Sequence, residues 1–327
     1  MVEADVIIVG GGPAGAACAR ELRNQGYAVV ILDRYTFPRH KVCAGWITPR
    51  VLSDLDTTAT DYPGGILTIR CMILHIRGIT FPLPTRQFSI RRFEFDHWLI
   101  RRAGVPVYEH RVRYIRKDNR GYIVDDAFRA PYLVGAAGTF CPVYRTFFES
   151  CCPRTSTGLV VTLEDEFEYA PGDTRCRLWF FDRHLPGYAW YVPKTNGIVN
   201  IGIGAKFHTL HARGATIHDH WQHFITHLAH LALIKDHAWQ PVGHAYYLRQ
   251  PRPCGRVDNA FVIGDAAGLA TTDFGEGIGP AVRSGVMAAK AIAQCTPYLP
   301  HTIGRYSLFN IVFPWRTGRW KHITGKS

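Results

Sequence analysis

Near the start of the chain a short β-branched run, Val6-Ile7-Ile8-Val9, is followed by Gly10-Gly11-Gly12-Pro13-Ala14-Gly15. Small residues lead on from there to Arg20, Glu21 and Leu22. This order predicts a strand, a tight turn and a helix. A second β-branched run at 28–32 ends in Asp33 and completes a βαβ unit. From 61 to 88 the pattern changes to apolar alternation broken by Gly and Pro, as in Ile66-Leu67-Thr68-Ile69 and Ile73-Leu74-His75-Ile76, which predicts antiparallel strands. Residues 92–103 place Phe95, Trp98 and Leu99 at helical spacing among charged neighbours. Strand-like pieces follow at 105–107 and 122–124 and lead to Tyr132-Leu133-Val134-Gly135-Ala136-Ala137-Gly138. Further strands are expected within 159–205, then a histidine-rich helix over 212–234. A last strand, loop and helix run from Ala260 through Gly264-Asp265 and Gly275-Glu276-Gly277-Ile278 to Ala293. No internal repeat or low-complexity tract interrupts this order, which excludes a solenoid.

With 327 residues, 47% hydrophobic and 20% charged, the chain has the balance of a globular protein of more than one domain. No apolar run approaches the ~18 residues of a spanning helix. Lys and Arg total 38 against 26 Asp and Glu, a net +12, which raises nucleic acid, an anionic membrane surface or an acidic redox partner as candidates. The basic residues are dispersed and no nucleic-acid motif accompanies them, so no nucleic acid is expected. The nine cysteines include no C-x-x-C pair, and a reducing interior fits them best. Glu3 and Asp5 stand where a secretory signal carries positive charge, so a cytoplasmic location is expected.

The G-x-G-x-x-G pattern between strand and helix has a direct physical reading. Gly10 allows the tight turn, Gly12 lets backbone approach a pyrophosphate, and Gly15 lets helix and strand pack closely, while free N–H groups at the helix start attract the anion. Asp33, 18 positions beyond Gly15, is placed to accept from ribose hydroxyls. Taken singly, Asp33 or Asp265 also suits a strand end or a cap, and Arg91 and Arg92 suit a solvated helix start. Tyr188 and Trp190 alternate along a predicted strand, where core packing and a substrate wall are equally open.

Three segments stand in a particular order: the glycine motif, Arg91-Arg92-Phe93-Glu94-Phe95-Asp96-His97-Trp98-Leu99, and Gly264-Asp265. Together they resemble FAD oxidoreductases of the p-hydroxybenzoate hydroxylase-like fold. Lys41-Val42-Cys43-Ala44-Gly45, Thr48-Pro49-Arg50, Gly187-Tyr188-Ala189-Trp190-Tyr191-Val192-Pro193 and Gly275-Glu276-Gly277-Ile278 are similar to the geranylgeranyl reductase family. The resemblance spans residues 1 to about 295. It implies that Gly10, Gly12, Pro13, Ala14 and Gly15 hold the pyrophosphate of FAD, Asp33 and Arg34 the adenosine side, and Val112 the adenine through its backbone. It further implies that Arg92 meets the phosphate and ribityl region and that Gly264 and Asp265 meet the ribityl hydroxyls. Cys43, Ala44 and Gly45 would lie along the flavin, and Gly277 and Ile278 would aim backbone N–H groups at its pyrimidine edge.

The expected fold is α/β: a Rossmann-like FAD-binding domain made of 1–60, 88–150 and 252–327, with an inserted antiparallel-sheet substrate domain made of 61–87 and 151–251. The expected function is FAD-dependent reduction of carbon–carbon double bonds in an apolar, isoprenoid-type substrate, with Cys43, Tyr188 and Trp190 as candidate catalytic residues. NAD(P)H or a reduced redox protein would donate the electrons. A flavin monooxygenase or halogenase, and a flavin-binding electron-transfer protein without a small substrate, are the alternatives. Ala137 replaces the acid that hydroxylases of this fold carry, which counts against the first. Cys43 has two readings, a chemical role or simply a small residue that lets the ring system approach the backbone. His223, His227 and His230 have ligand-like spacing on one helix, but no matching carboxylate or cysteine set accompanies them, so no metal is expected. The stretch 309–322 interleaves aromatic and basic residues, which adds peripheral membrane contact as an expectation.

Overall fold

In the computed structural model, which describes residues 1–170, 173–251, 253 and 255–313, the β-branched run Val6–Val9 is wholly buried. It lies within a six-stranded sheet, paired in parallel with Val29–Asp33 on one side and Tyr132–Gly135 on the other. Strands buried on both faces need no polar alternation, which is why these runs read as continuous Val, Ile and Leu. Ala260–Val262 and Val107–Glu109 extend the sheet in parallel, and Arg256–Val257 closes one edge antiparallel. The helices Pro13–Asn24 and Ile278–Ala293 pack closely on each other; a Cβ at Gly285 would overlap the carbonyl of Ala14. A four-stranded sheet of Val2–Glu3, Phe128–Ala130, Gly121–Val124 and Ile115–Asp118 completes this first unit, which comprises 1–40, 93–158 and 246–306.

Among the described residues, the second unit comprises 41–92, 159–245 and 307–313 and is built on an eight-stranded sheet. Among the described strand pairs most are antiparallel, and one is parallel: Cys176–Phe180 beside Ile66–Ile76. The two short strands expected at 66–69 and 73–76 form one strand, Ile66–Ile76, because an irregularity between Ile69 and Cys71 absorbs the break in alternation. One face of the sheet carries Leu163, Tyr191, Ile201 and Ile203 and is covered by the helix Ile217–His230 through Trp221, Phe224 and Leu228. That helix starts later than the expected residue 212. Thr216 and Asp219 form a capping box there, and the preceding Phe207–Ala212 is a separate short helix.

The units divide differently from the sequence expectation in two main stretches, with smaller boundary shifts at 88–92, 151–158 and 246–251. Residues 41–60 belong to the second unit, where Trp46–Ile47 pairs with the strand Ile79–Ile90. Residues 307–313 also belong there, since Thr85 Oγ1 donates to the carbonyl of Ile311 at 2.5 Å and Gln87 Nε2 to that of Asn310 at 3.1 Å. Among the described residues seven cysteines are free thiols, and Cys152 is disulfide-bonded. Among the described residues, no helix is long and apolar enough to cross a membrane.

Candidate functional site

In the first unit, the turn after Val6–Val9 is shaped by glycines at the positions where side chains would collide. Gly10 has φ +109°, and a Cβ on it would overlap the backbone of Ala136. A Cβ on Gly15 would overlap the carbonyl of Gly10. Gly12 is different. It caps the helix that Pro13 opens, no side chain caps that helix, and the nearest atom to a Cβ placed there is Arg39 Nη2 at 3.7 Å. The cradle is therefore open at Gly12 and closed by packing at Gly10 and Gly15.

Asp33 is 7% exposed and already engaged: Oδ2 accepts from Gly11 N–H at 2.8 Å and Oδ1 from Tyr35 N–H at 3.1 Å. Its first task in the structure is to hold the glycine turn in shape. Arg39, which sequence reasoning missed, reaches from an irregular loop to this turn. Its Nε lies 3.9 Å from Asp33 Oδ1, and Nη2 lies 3.5 Å from Asp96 Oδ2, on a wholly buried carboxylate. Arg39 Nε is buried without a hydrogen-bond partner among the described residues. An unpartnered guanidinium N–H beside an open glycine and an uncapped helix start fits a phosphate anion. Arg34 is exposed and stacks on Tyr35, and Val112 is partly buried against the unit's core near His110, whose N–H donates to the carbonyl of Asp33 at 2.6 Å.

At the other βα turn, Gly264 has φ +59° and donates its N–H to Ser284 Oγ at 2.9 Å. The Asp265 carboxylate stands next to Gly277, whose Cβ, if present, would be 3.3 Å from Oδ1. Gly277 opens the helix Ile278–Ala293 with no side-chain cap and no acid in its first turn. Arg154, also unforeseen, braces this loop by donating to the carbonyls of Thr139, Asp265 and Ala266, with its guanidinium 3.6 Å from the centre of the Tyr144 ring. The residues present thus fit FAD. Gly12, Pro13 and Arg39 would hold its diphosphate, Asp33 its ribose and Asp265 its ribityl chain.

In the second unit the candidates Cys43, Ala44 and Gly45 form a loop held by a lysine. Gly45 has φ +66°, and a Cβ there would overlap both the carbonyl of Ile90 and Lys194 Nζ. Lys194, buried at the end of the strand Gly187–Pro193, donates to the carbonyls of Ala44 at 2.8 Å and Ile90 at 2.6 Å and pairs with Glu166 at 3.3 Å. Burial lowers its proton affinity, and the charge of Glu166 opposes that. Glu166 also accepts from Arg91 Nε at 3.1 Å. Cys43 is partly buried and its Sγ accepts from Gly45 N–H at 3.4 Å. Arg92, 8% exposed, opens the helix Arg92–Ala103.

Tyr188 and Trp190 share the sheet face opposite the one that the helix covers. Trp190 is 5% exposed, and its indole lies across Gly202 of the neighbouring strand, where a Cβ would overlap the ring. Trp190 Nε1 donates to Asn200 Oδ1 at 2.7 Å, and Asn200 Nδ2 donates to Glu164 Oε2 at 3.4 Å. Trp190 is thus both packed and hydrogen-bonded, whereas Tyr188 is half-buried, with its ring 5.3 Å from that of Phe180. Glu164 is 3% exposed, and burial pushes its carboxyl up to about 7, against the pull of Lys41 and the Asn200 hydrogen bond. Nothing in the sequence distinguished Glu164 or Lys194 from solvated charges at strand positions.

The histidine-rich helix resolves differently. His223 pairs with Asp182 at 3.3 Å, and burial lowers the proton affinity of His227. Among the described residues no group of three or more potential ligands could hold a metal ion.

Residues 5–81 match the family model of FAD-dependent oxidoreductases described as DAO. An uncharacterised protein of Methanosarcina barkeri is 30% identical over 313 residues, covering 90% of this chain and 76% of its own. A digeranylgeranylglycerophospholipid reductase of Methanosphaera stadtmanae is 27% identical, covering 90% of this chain and 79% of its own. The chain belongs to the FAD-dependent geranylgeranyl reductase family. A solved structure of a geranylgeranyl bacteriochlorophyll reductase-like protein from Thermoplasma acidophilum superposes with a TM-score of 0.79 at 21% identity, covering 90% of this chain and 79% of that one, and it shows the same fold. This member of the geranylgeranyl reductase family is an FAD-dependent oxidoreductase. In it, Gly12 and Arg39 would hold an anion, and Lys194 fixes the shape of the Cys43 loop.

Proposed function

We propose that this geranylgeranyl reductase family member reduces carbon–carbon double bonds of an apolar, isoprenoid-type substrate. The observation that carries the reading is the sheet face bearing Tyr188 and Trp190. Aromatic side chains lie there over the glycine-bearing strand Ile198–Lys206 and lead to one buried carboxyl, Glu164. Such a face offers apolar contact together with a group that still holds a proton near neutral pH. When bound, FAD supplies the hydride, and the chain binds, orients and keeps water away. Gly12, Arg39, Asp33 and Asp265 would anchor the cofactor. Lys194 would hold Cys43, Ala44 and Gly45 in position, with Tyr188 and Trp190 against the substrate.

Electrons would come from NAD(P)H or a reduced redox protein, on the cytoplasmic side. Peripheral contact with a membrane suits such a substrate, although residues 314–322 of the aromatic and basic stretch that suggested it lie outside the described residues. The test is to reduce the purified flavoprotein without oxygen, using NADH, NADPH and dithionite in turn, and then to add prenyl compounds or oxygen separately. Stoichiometric reoxidation by a prenyl compound, with a saturated product, is expected. Reoxidation by oxygen alone, coupled to hydroxylation or halogenation, would replace this reading with a monooxygenase or halogenase.

A further inference from the structure

At one end of the eight-stranded sheet, strand termini from separate stretches of the chain meet. Ile76 pairs with both Ile79 and Phe180, Phe180 with Tyr188, Gly187 with Ala205, and Lys206 with Val160. The register therefore brings the hairpin turn at Arg77 and Gly78, the loop 181–186 and the start of the helix Phe207–Ala212 to the same end of this unit. Four large apolar side chains are exposed there: Ile79 at 69%, Phe181 at 54%, Phe207 at 41% and Phe81 at 38%. Isolated exposed apolar residues are ordinary, but four at one sheet end form a surface that water does not favour.

The backbone adds a second observation. Phe181 adopts φ +58°, a left-handed conformation that a bulky side chain rarely takes, and it gains no burial from doing so. The loop is nonetheless fixed: Phe181 N–H donates to the carbonyl of Gly187 at 3.3 Å, Lys206 N–H to that of Pro186 at 3.1 Å, and Arg213 Nη1 to that of His184 at 2.6 Å. The ring is held outward by a hydrogen-bonded scaffold.

Charge is the third observation. Arg77, Arg183 and Lys206 are exposed at this end. The acids near them are already engaged, Asp182 with His223 at 3.3 Å and Asp219 in the capping box with Thr216. A hairpin turn, a loop and a helix start present these side chains at one sheet end. They suit a flat anionic surface, into which rings and aliphatic tips enter while cations meet the headgroups.

We propose that this end of the second unit, centred on Ile79 and Phe181, docks on the surface of an anionic phospholipid bilayer. The proposal rests on the lipid-like substrate of the preceding reading for its purpose, and on exposure, backbone and charge for its placement. The test uses the full-length flavoprotein in sedimentation with phosphatidylcholine vesicles, either plain or with about three in ten lipids replaced by phosphatidylglycerol. Binding is expected only to the anionic vesicles and should weaken with salt. A double variant, Ile79→Ser with Phe181→Asn, should bind about tenfold more weakly while keeping its FAD content, since asparagine accepts the left-handed backbone. A second variant, Arg183→Gln with Lys206→Gln, should flatten the salt dependence. For comparison, Trp315→Ser with Trp320→Ser should bind as the parent does.

Four results would overturn the proposal: no binding by the parent, equal binding by the Ile79 and Phe181 variant, loss of binding only in the tryptophan variant, or a parent dimer that this variant converts to monomer. Turnover of a short, water-soluble prenyl compound separates the two readings. Vesicle binding without such turnover would remove the proposed reaction and leave the surface, and turnover without vesicle binding would do the reverse.

Discussion

Lys194 donates a 2.8 Å hydrogen bond to the carbonyl oxygen of Ala44 and so ties the end of a sheet strand to the loop that carries Cys43. The same ammonium also serves the carbonyl of Ile90 and the carboxylate of Glu166. Three groups distant in sequence therefore depend on one buried charge. Replacing Lys194 by Met removes the donor from two carbonyls, while Glu166 keeps Arg91. The expected loss is about 2 kcal/mol of stability, because unsatisfied buried acceptors cost about 1–3 kcal/mol each and relief of the buried charge offsets part of that. Loosening of the loop should also speed alkylation of Cys43, followed by peptide mass spectrometry. An unchanged rate at Cys43 would show that the loop holds its shape without the lysine.

Gly12 and Gly15 belong to one motif but should fail in different ways. A Cβ at Gly12 meets nothing closer than Arg39 Nη2 at 3.7 Å, so Gly12→Ala should leave the thermal transition of the apoprotein within a few degrees and weaken FAD binding sharply. Gly15→Ala puts a methyl into the carbonyl of Gly10 and should destabilise the fold by about 1–3 kcal/mol. Calorimetry of the apoprotein and FAD titration by fluorescence separate the two. Equal unfolding in both variants would refute the open cradle at Gly12.

Arg39 Nε has no hydrogen-bond partner among the described residues and lies by the same open turn. Arg39→Gln should lower FAD affinity by roughly tenfold to a hundredfold, the worth of one or two charge-assisted hydrogen bonds. Arg39→Lys should recover little, since a point charge cannot reproduce the fork that spans Asp33 and Asp96. Wild-type affinity in Arg39→Gln would remove the guanidinium from the cofactor site.

What the sequence made legible follows from which interactions are local. The helix 92–103 has the bounds its apolar period indicates, because periodicity is a property of neighbouring positions. The glycine turn was equally readable, since Gly10 and Gly15 meet through a turn of a few residues. Arg39 was invisible because its loop has no period and its partners, Asp33 and Asp96, lie on separate elements. Glu164 within its strand and Lys194 just beyond the end of another look like solvent-facing charges, and only the fold shows both to be buried. The join of 66–69 and 73–76 into one strand depended on an irregularity that alternation alone reads as an end.

Glu164 gives a prediction whose sign is fixed by the direction of its shift. The carboxyl titrates near 4.5 when unfolded and is pushed up to about 7 in the fold by burial, with Lys41, Lys194 and the Asn200 amide pulling it down and Glu166 pushing it up. Between those values the folded state binds more protons than the unfolded one. Stability contributed by the protonated group is therefore present below about pH 4.5 and is lost as pH rises through about 7. At about 1.4 kcal/mol per tenfold change in proton affinity, the loss is about 3 kcal/mol at most. Glu164→Gln keeps an oxygen to accept from Asn200 and carries no charge, so urea unfolding at about pH 5 and about pH 8 should show a smaller fall in stability than the parent shows. If parent and variant lose the same stability over that range, Glu164 is ionised in the fold and cannot be the group that holds a proton beside Trp190.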